Sequence, residues 1–206
     1  MNQSLPHGVR PIPFYSQSFD FTCGSACSLM VLSYFLGTGM SREMEIDIWR
    51  EGNLVPAMGM GRYGIAFVLL KRNLTVKVWS STTDFEFLPR IRSRLSESQF
   101  SAFLLLASER RKRAIEMGLI EKNTMFTIQD VVDVVRADGV PLILTDAAML
   151  GDEKAPHWVL VNDVDDMITI HNPIAKAPTI VGLQEFEHLC GFEGDRVMIA
   201  AFRGSH

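Results

Sequence analysis

From Cys23 to Gly37 apolar residues recur at helical spacing, through Ala26, Leu29, Met30, Leu32 and Phe35, and predict a helix that Gly37 and Gly39 terminate. Ser41 stands where an N-cap belongs for a second helix through Trp49, with Met44, Ile48 and Trp49 on one side. Between Gly52 and Gly64 the glycines and the run Met58-Gly59-Met60-Gly61 break every period, so this stretch reads as irregular. Tyr63 to Asn73 returns to a helical pattern and a short strand follows at Thr75 to Trp79. Asp84 to Asn123 reads as mostly helical. Thr127 with Asp130 forms a capping box for a helix through Ala137, and Leu183 to Cys190 reads as a short helix.

Four segments rich in β-branched residues, Pro141 to Thr145, His157 to Asn162, Met167 to His171 and Arg196 to Phe202, read as strands. Helices come first and a largely antiparallel sheet last. That order predicts an α+β fold rather than alternating α/β. The proline-rich first sixteen residues (Pro6, Pro11, Pro13) read as an extended arm leading into the first helix.

Composition narrows the function. The 206 residues are 47% hydrophobic and 21% charged with a net charge of −4, which excludes intrinsic disorder and describes a chain able to bury a core. Mild acidity argues against a nucleic-acid partner, which demands a basic surface. No run approaches the ~20 apolar residues of a membrane span, and Met1 to Pro13 has no apolar signal-peptide core, so a cytoplasmic protein without a membrane partner is expected. Three cysteines are too few, and odd in number, for a disulfide framework.

Those cysteines are unequal. Cys23 sits where the irregular arm becomes an apolar helix, and unpaired N–H groups at a helix N-terminus stabilise a thiolate. Gly24 behind it leaves room for a substrate carbonyl beside the backbone, and Gln17, six residues earlier, offers a side-chain amide to a developing oxyanion. Far along the chain, His157 opens one strand and Asn172 ends the next, with the turn between them near Asp165. Equal distance from that turn predicts that the two stand opposite each other, where an asparagine oxygen would hold the imidazole in one tautomer for a general base. Cysteine, histidine and asparagine in this chain order match the papain-type triad.

The blocks Gln17…Cys23-Gly24-x-Ala26 and His157-Trp-Val-x-Val…Asn172-Pro173 resemble the bacteriocin-processing, double-glycine-leader cysteine peptidases, and more closely their stand-alone cytosolic relatives of unknown substrate. Similar stretches in those relatives match Tyr15-Ser-Gln-Ser-Phe-Asp-Phe-Thr-Cys-Gly, Glu45-Ile-Asp-Ile-Trp-Arg-Glu, the glycine-rich loop Met58 to Gly64, and Lys154-Ala-Pro-His-Trp-Val. The resemblance spans about Pro13 to Pro173. It implies a papain-like fold in one catalytic domain over residues 1–206, with a mainly helical lobe over 1–140 and a mainly β lobe over 141–206. Cys23 is then the nucleophile, His157 the base, Asn172 the orienting residue and Gln17 the oxyanion donor. The family's usual third residue is an aspartate, so Asn172 removes a charge that would stabilise an imidazolium. The implied activity is a cysteine-dependent peptidase or amidase acting on a peptide or amide substrate without a cofactor. Acyl transfer, transglutamination or deamidation by the same triad is the alternative, as is a catalytically silent peptide binder.

Other residues receive blander assignments. Cys27, one turn after Cys23, and Cys190, near His188, read as buried core groups rather than metal ligands. His171 adjoins Asn172, and strand alternation sends the two to opposite faces. Asp163, Asp165 and Asp166 belong to a hairpin turn rather than a calcium loop. The run Glu109-Arg110-Arg111-Lys112-Arg113 reads as a solvated helix face. Met58, Gly59, Met60 and Gly61 are expected to form an adaptable wall of a substrate cleft, with Trp158 packed over the histidine–asparagine pair.

Overall fold

A computed structural model describes residues 10–54, 59–82 and 92–204. Three helices open the chain: α1 (Cys23–Leu36), α2 (Arg42–Gly52) and α3 (Arg62–Leu70). After β1 (Thr75–Ser80) come α4 (Glu97–Glu116), β2 (Ile120–Lys122), α5 (Ile128–Arg136) and β3 (Val140–Asp146). A 3₁₀ turn (Ala147–Leu150) leads to β4 (Pro156–Val164), β5 (Met167–His171), β6 (Thr179–Gly182), α6 (Leu183–Leu189) and β7 (Val197–Phe202). The strands form one sheet in the order β2-β1-β7-β3-β4-β5-β6, antiparallel except for the β1–β2 pair. The α+β expectation holds.

Predicted caps are in place. Gly37 ends α1 at φ 68°, where its N–H reaches the carbonyls of Leu32 and Ser33. Ser41 accepts from the Met44 N–H, and Thr127 with Asp130 forms the reciprocal capping box of α5.

Side chains alternate across the sheet and both faces are buried. The pattern is clearest in β4, where Trp158 and Leu160 join one apolar cluster with α1 and α3 while Val159 and Val161 join a second with α5 and α6. Burial on both faces explains why the strands read as continuous apolar runs. α1 is likewise buried almost all round, from Cys23 to Phe35.

Several expectations need correction. β1 and β2 lie before residue 140, yet β1 pairs along its whole length with β7, so the sheet draws strands from both halves of the chain. The edge strands β2 and β6 carry no apolar alternation that sequence reading could find; Ile180 of β6 is 65% exposed. Part of the helix expected from Asp84 lies outside the described residues. The basic run on α4 is only partly solvated. Arg110 donates to the Glu51 carbonyl and covers the Phe67 ring, and Arg111 pairs with Glu121 of β2 at 2.9 Å. These contacts dock α4 onto its neighbours.

Gly52 and Gly64 are helical rather than part of an irregular loop. Their reason is the crossing of α2 and α3: a Cβ on Gly64 would stand 2.2 Å from the Gly52 carbonyl oxygen. Gly64→Ala must therefore push the two helices apart. We expect a loss of about 3 kcal/mol in unfolding free energy by urea titration, whereas Gly59→Ala, with open space around its Cα, should leave the midpoint unchanged.

Candidate active site

Cys23 is the first residue of α1, a helix start with no side-chain cap and no acidic residue in its first turn. Thr22 occupies the cap position but spends its hydroxyl on the Phe19 carbonyl at 2.9 Å, closing the turn Phe19–Thr22 instead. The positive end of the helix is thus left for the residue that begins it.

The start of β4 meets this end. Trp158 lies opposite Leu144 of β3, and the Leu144 carbonyl accepts from Gly191 on the far side of β3. Strand geometry then turns the Trp158 N–H and C=O away from β3. Both meet sulfur. The Trp158 N–H donates to the Cys23 sulfur, and the Cys27 thiol donates to the Trp158 carbonyl at 3.4 Å. The Trp158 indole N–H donates to the Met60 carbonyl at 2.9 Å. One residue of β4 so clamps α1 and the chain before α3.

His157, adjacent to that clamp, hydrogen-bonds the Cys23 thiol. Its Nε2 stands 2.9 Å from Asn172 Oδ1, which leaves Nδ1 for the sulfur. The His157–Asn172 contact is not the direct cross-strand pair expected. The hairpin is centred on Asp166, and a bulge at Asn162 shifts its pairing by one residue to put His171 opposite Leu160, so Asn172 falls two residues out of direct register with His157. The Arg10 guanidinium secures this bulge by donating to the Val161 and Asn162 carbonyls at 3.2 and 2.7 Å. Contact survives because the chain leaves β5 at Asn172 in a turn, where the Ala175 N–H reaches the Asn172 carbonyl at 2.9 Å. The Ile174 N–H also donates to Asn172 Oδ1 at 3.3 Å and fixes the amide's orientation.

Cys23, His157 and Asn172 are each no more than 5% exposed. Burial by itself pushes the Cys23 thiol up, yet the charge and hydrogen bond of His157, with the Trp158 and Gly24 N–H groups, bring it below its ordinary value. Burial pulls His157 down, but Cys23, Asn172 and the charge of Asp152 carry it above its ordinary value. Asp152 lies in the β3–β4 loop, whose base is the Asp146–Pro156 pair, one step from Thr145–His157. That loop is closed by the Asp146 carboxylate, which accepts from the Ala148 and Ala155 N–H groups at 3.0 and 3.3 Å. The other thiols go the opposite way: burial holds Cys27 well above the usual range and pushes Cys190 up to about 12. His171 drops to about 4 through burial and the nearby Arg10, and packs edge-on against Phe14.

The remaining predicted residues make other contacts. Gln17 donates its side-chain amide to the Phe19 carbonyl at 2.8 Å, and its backbone N–H to the Pro173 carbonyl at 2.9 Å, beside Asn172. Gly24 does not open space for a substrate, because a Cβ there would stand 3.1 Å from Ile65 and 3.2 Å from Met60. Met60 is 3% exposed and accepts the Ser25 hydroxyl on its sulfur at 3.1 Å, so it is a packing hub rather than an adaptable cleft wall. Gly59 and Gly61 are exposed, Gly61 as the N-cap of α3. Met58 lies outside the described residues. Trp158 is buried next to His157, as expected, but its peptide group is what meets the two sulfurs. Sequence reading missed that peptide clamp and the charge of Asp152, neither of which has a local signature.

Residues 12–189 match the sequence profile of the family described as Peptidase C39-like. A crystal structure of a Bacillus anthracis protein assigned as a C39-like peptidase is similar in fold, with a TM-score of 0.56 at 13% identity over 97% of this chain and 98% of that one. No curated protein matches. Among the described residues no helix is long and apolar enough to cross a membrane.

The opposed shifts of Cys23 and His157 define a pH window. Cys23 ionises below the usual cysteine range and His157 keeps its proton above the usual histidine range, so each shift moves the pair toward thiolate and imidazolium. Alkylation by iodoacetamide should therefore have its midpoint below pH ~8.5, where a free cysteine is half ionised. His157→Ala should return the midpoint to at least that value, and Asn172→Ala should move it part of the way.

Proposed function

We propose, for a chain that belongs to the Peptidase C39-like family, a cysteine-dependent hydrolase of peptide or amide bonds with Cys23 as nucleophile, His157 as acid and base, and Asn172 as the orienting residue. The family as a whole supports a cysteine peptidase. The observation that carries the finer reading is the unbroken contact chain from the Cys23 thiol through His157 to Asn172 Oδ1.

The chemistry follows from those contacts. The Cys23 thiolate adds to the substrate carbonyl carbon, a C–S bond forms, and the carbonyl π pair moves onto oxygen. The Cys23 N–H at the uncapped start of α1 and the second amide hydrogen of Gln17 stabilise that oxyanion. As the C–N bond breaks, the His157 imidazolium gives its proton to the departing amine, leaving a thioester on Cys23. Water then attacks the thioester while His157 takes a proton from it, and the C–S bond breaks to restore the thiolate–imidazolium pair. Throughout, Asn172 accepts from the Nε2–H and keeps Nδ1 facing the sulfur. Asp152 supplies from the β3–β4 loop a negative charge that an asparagine cannot.

Incubation with a peptide library, read by mass spectrometry of new termini, tests the reading. Wild-type protein should cleave, Cys23→Ala should not, and His157→Ala should be slower by about 10²–10⁴-fold. Cleavage that persists in Cys23→Ala, or a wild type that neither cleaves nor forms an acyl-enzyme with p-nitrophenyl acetate, would overturn it.

A further inference from the structure

The stretch Glu45-Ile-Asp-Ile-Trp-Arg-Glu takes no part in the reaction above, yet Glu45 is an unusual residue. It lies in the first turn of α2, where a carboxylate ordinarily faces water, and it is 0% exposed. Removing a carboxylate from water is costly unless donors replace the lost hydration. The donors that reach Glu45 all come from one short segment. The Tyr15 hydroxyl donates to Oε2 at 3.1 Å, and the Ser18 N–H straddles both oxygens at 3.0 and 3.2 Å. The Tyr15 hydroxyl also lies 3.3 Å from the Ser18 hydroxyl, closing the group.

The two residues between them point the other way. Ser16 donates its hydroxyl to the Ala175 carbonyl at 2.8 Å, and the Gln17 N–H donates to the Pro173 carbonyl at 2.9 Å. The strap Tyr15–Ser18 is therefore held on one side by a single buried side chain and on the other by the turn that follows Asn172. α2 also grips the chain beyond the strap: Trp49 packs on Phe21 with ring centroids 5.2 Å apart, and the Arg42 guanidinium covers Phe19 at 5.4 Å. Phe19 is the residue whose carbonyl receives the Gln17 amide.

We infer that Glu45 is a positioning residue for the oxyanion site: it anchors the strap that presents Gln17, and it touches neither the thiol nor the imidazole. The inference rests on the hydrolase reading above and assigns a part of the chain that reading leaves idle. Cys23 ionisation depends on burial, His157, Trp158 and Gly24, none of which belongs to the strap. Loss of Glu45 should thus spare the nucleophile and weaken only steps that build charge on a carbonyl oxygen.

Two small probes of the same sulfur separate these effects. Iodoacetamide alkylates Cys23 by displacement of iodide and builds no oxyanion; p-nitrophenyl acetate acylates it through a tetrahedral oxyanion. In Glu45→Ala the iodoacetamide rate should stay within about twofold of wild type, while acylation falls by up to about 10²-fold, the scale of an ångström-sized misplacement. Gln17→Ala should show the same split, and the double variant should be no slower in acylation than Gln17→Ala alone. Glu45→Gln, which keeps one acceptor oxygen and nearly the same volume, should fall between wild type and Glu45→Ala and serves where the alanine variant does not fold. Equal slowing of both probes, an unchanged ratio, or additive losses in the double variant would each overturn the inference. A wild-type Cys23 that iodoacetamide labels no faster than free cysteine overturns the hydrolase reading itself, and the positioning role with it.

Discussion

The docking of α1 against the first residues of β4 is the contact on which the site depends. Its hydrogen bonds are made by two sulfurs and a single peptide group. Cys23 and Cys27 are one helical turn apart and meet the N–H and the carbonyl of Trp158, respectively. Trp158 can offer both because Leu144 opposite it is bonded to Gly191 rather than across to β4. A peptide group left without a strand partner must be satisfied by something else, and here the partner is the helix that begins at Cys23. The same docking brings His157, one residue before Trp158, to the sulfur.

A buried thiolate needs compensation from several weak sources. Burial alone would keep Cys23 protonated, as it does Cys27, which shares the same helix and nearly the same surroundings. The difference between them is position. Cys23 is at the uncapped end of the helix and within reach of an imidazole; Cys27, four residues on, has its helical N–H groups already used and finds only a carbonyl, which favours the protonated thiol. One helical turn separates a thiol held below its ordinary pKa from one held well above it.

The halves of this arrangement were unequally legible in the sequence. Cys23 stands out because the chain changes from proline-rich arm to apolar helix at that residue, a local event that periodicity detects. The His157–Asn172 pair follows from two adjacent strands and a turn, although the hairpin is centred on Asp166 and the bulge at Asn162 shifts its pairing by one residue, which together leave Asn172 two positions from direct register. Bulges leave no period-two trace, so a count from the turn cannot see them. Gly24, read as room for a substrate, and Met60, Gly52 and Gly64, read as irregular backbone, are misread for a shared reason. Glycines and methionines signal irregular backbone in isolation, but here they allow α1, α2 and α3 to approach closely, a demand set by partners distant in sequence. Glu45 is hidden most completely, since nothing in a helix-opening acidic residue announces burial.

An asparagine at the position where the resemblance leads one to expect an aspartate takes on a different character in this light. Asn172 retains everything that is geometric about the position: Oδ1 faces Nε2 and is itself held by the Ile174 N–H. What it gives up is charge, and charge acts over longer distances than a hydrogen bond does. A carboxylate need not touch the imidazole to favour its protonation, so Asp152 contributes from the neighbouring loop without contacting the triad. Orientation and electrostatic support, combined in one side chain when that residue is aspartate, are here divided between two. The division also changes what each residue must withstand. Asn172 is buried, where an unpaired charge is costly; Asp152 is exposed, where water solvates its carboxylate. An asparagine at the buried position avoids that desolvation, while Asp152 still helps to raise His157 above its ordinary value.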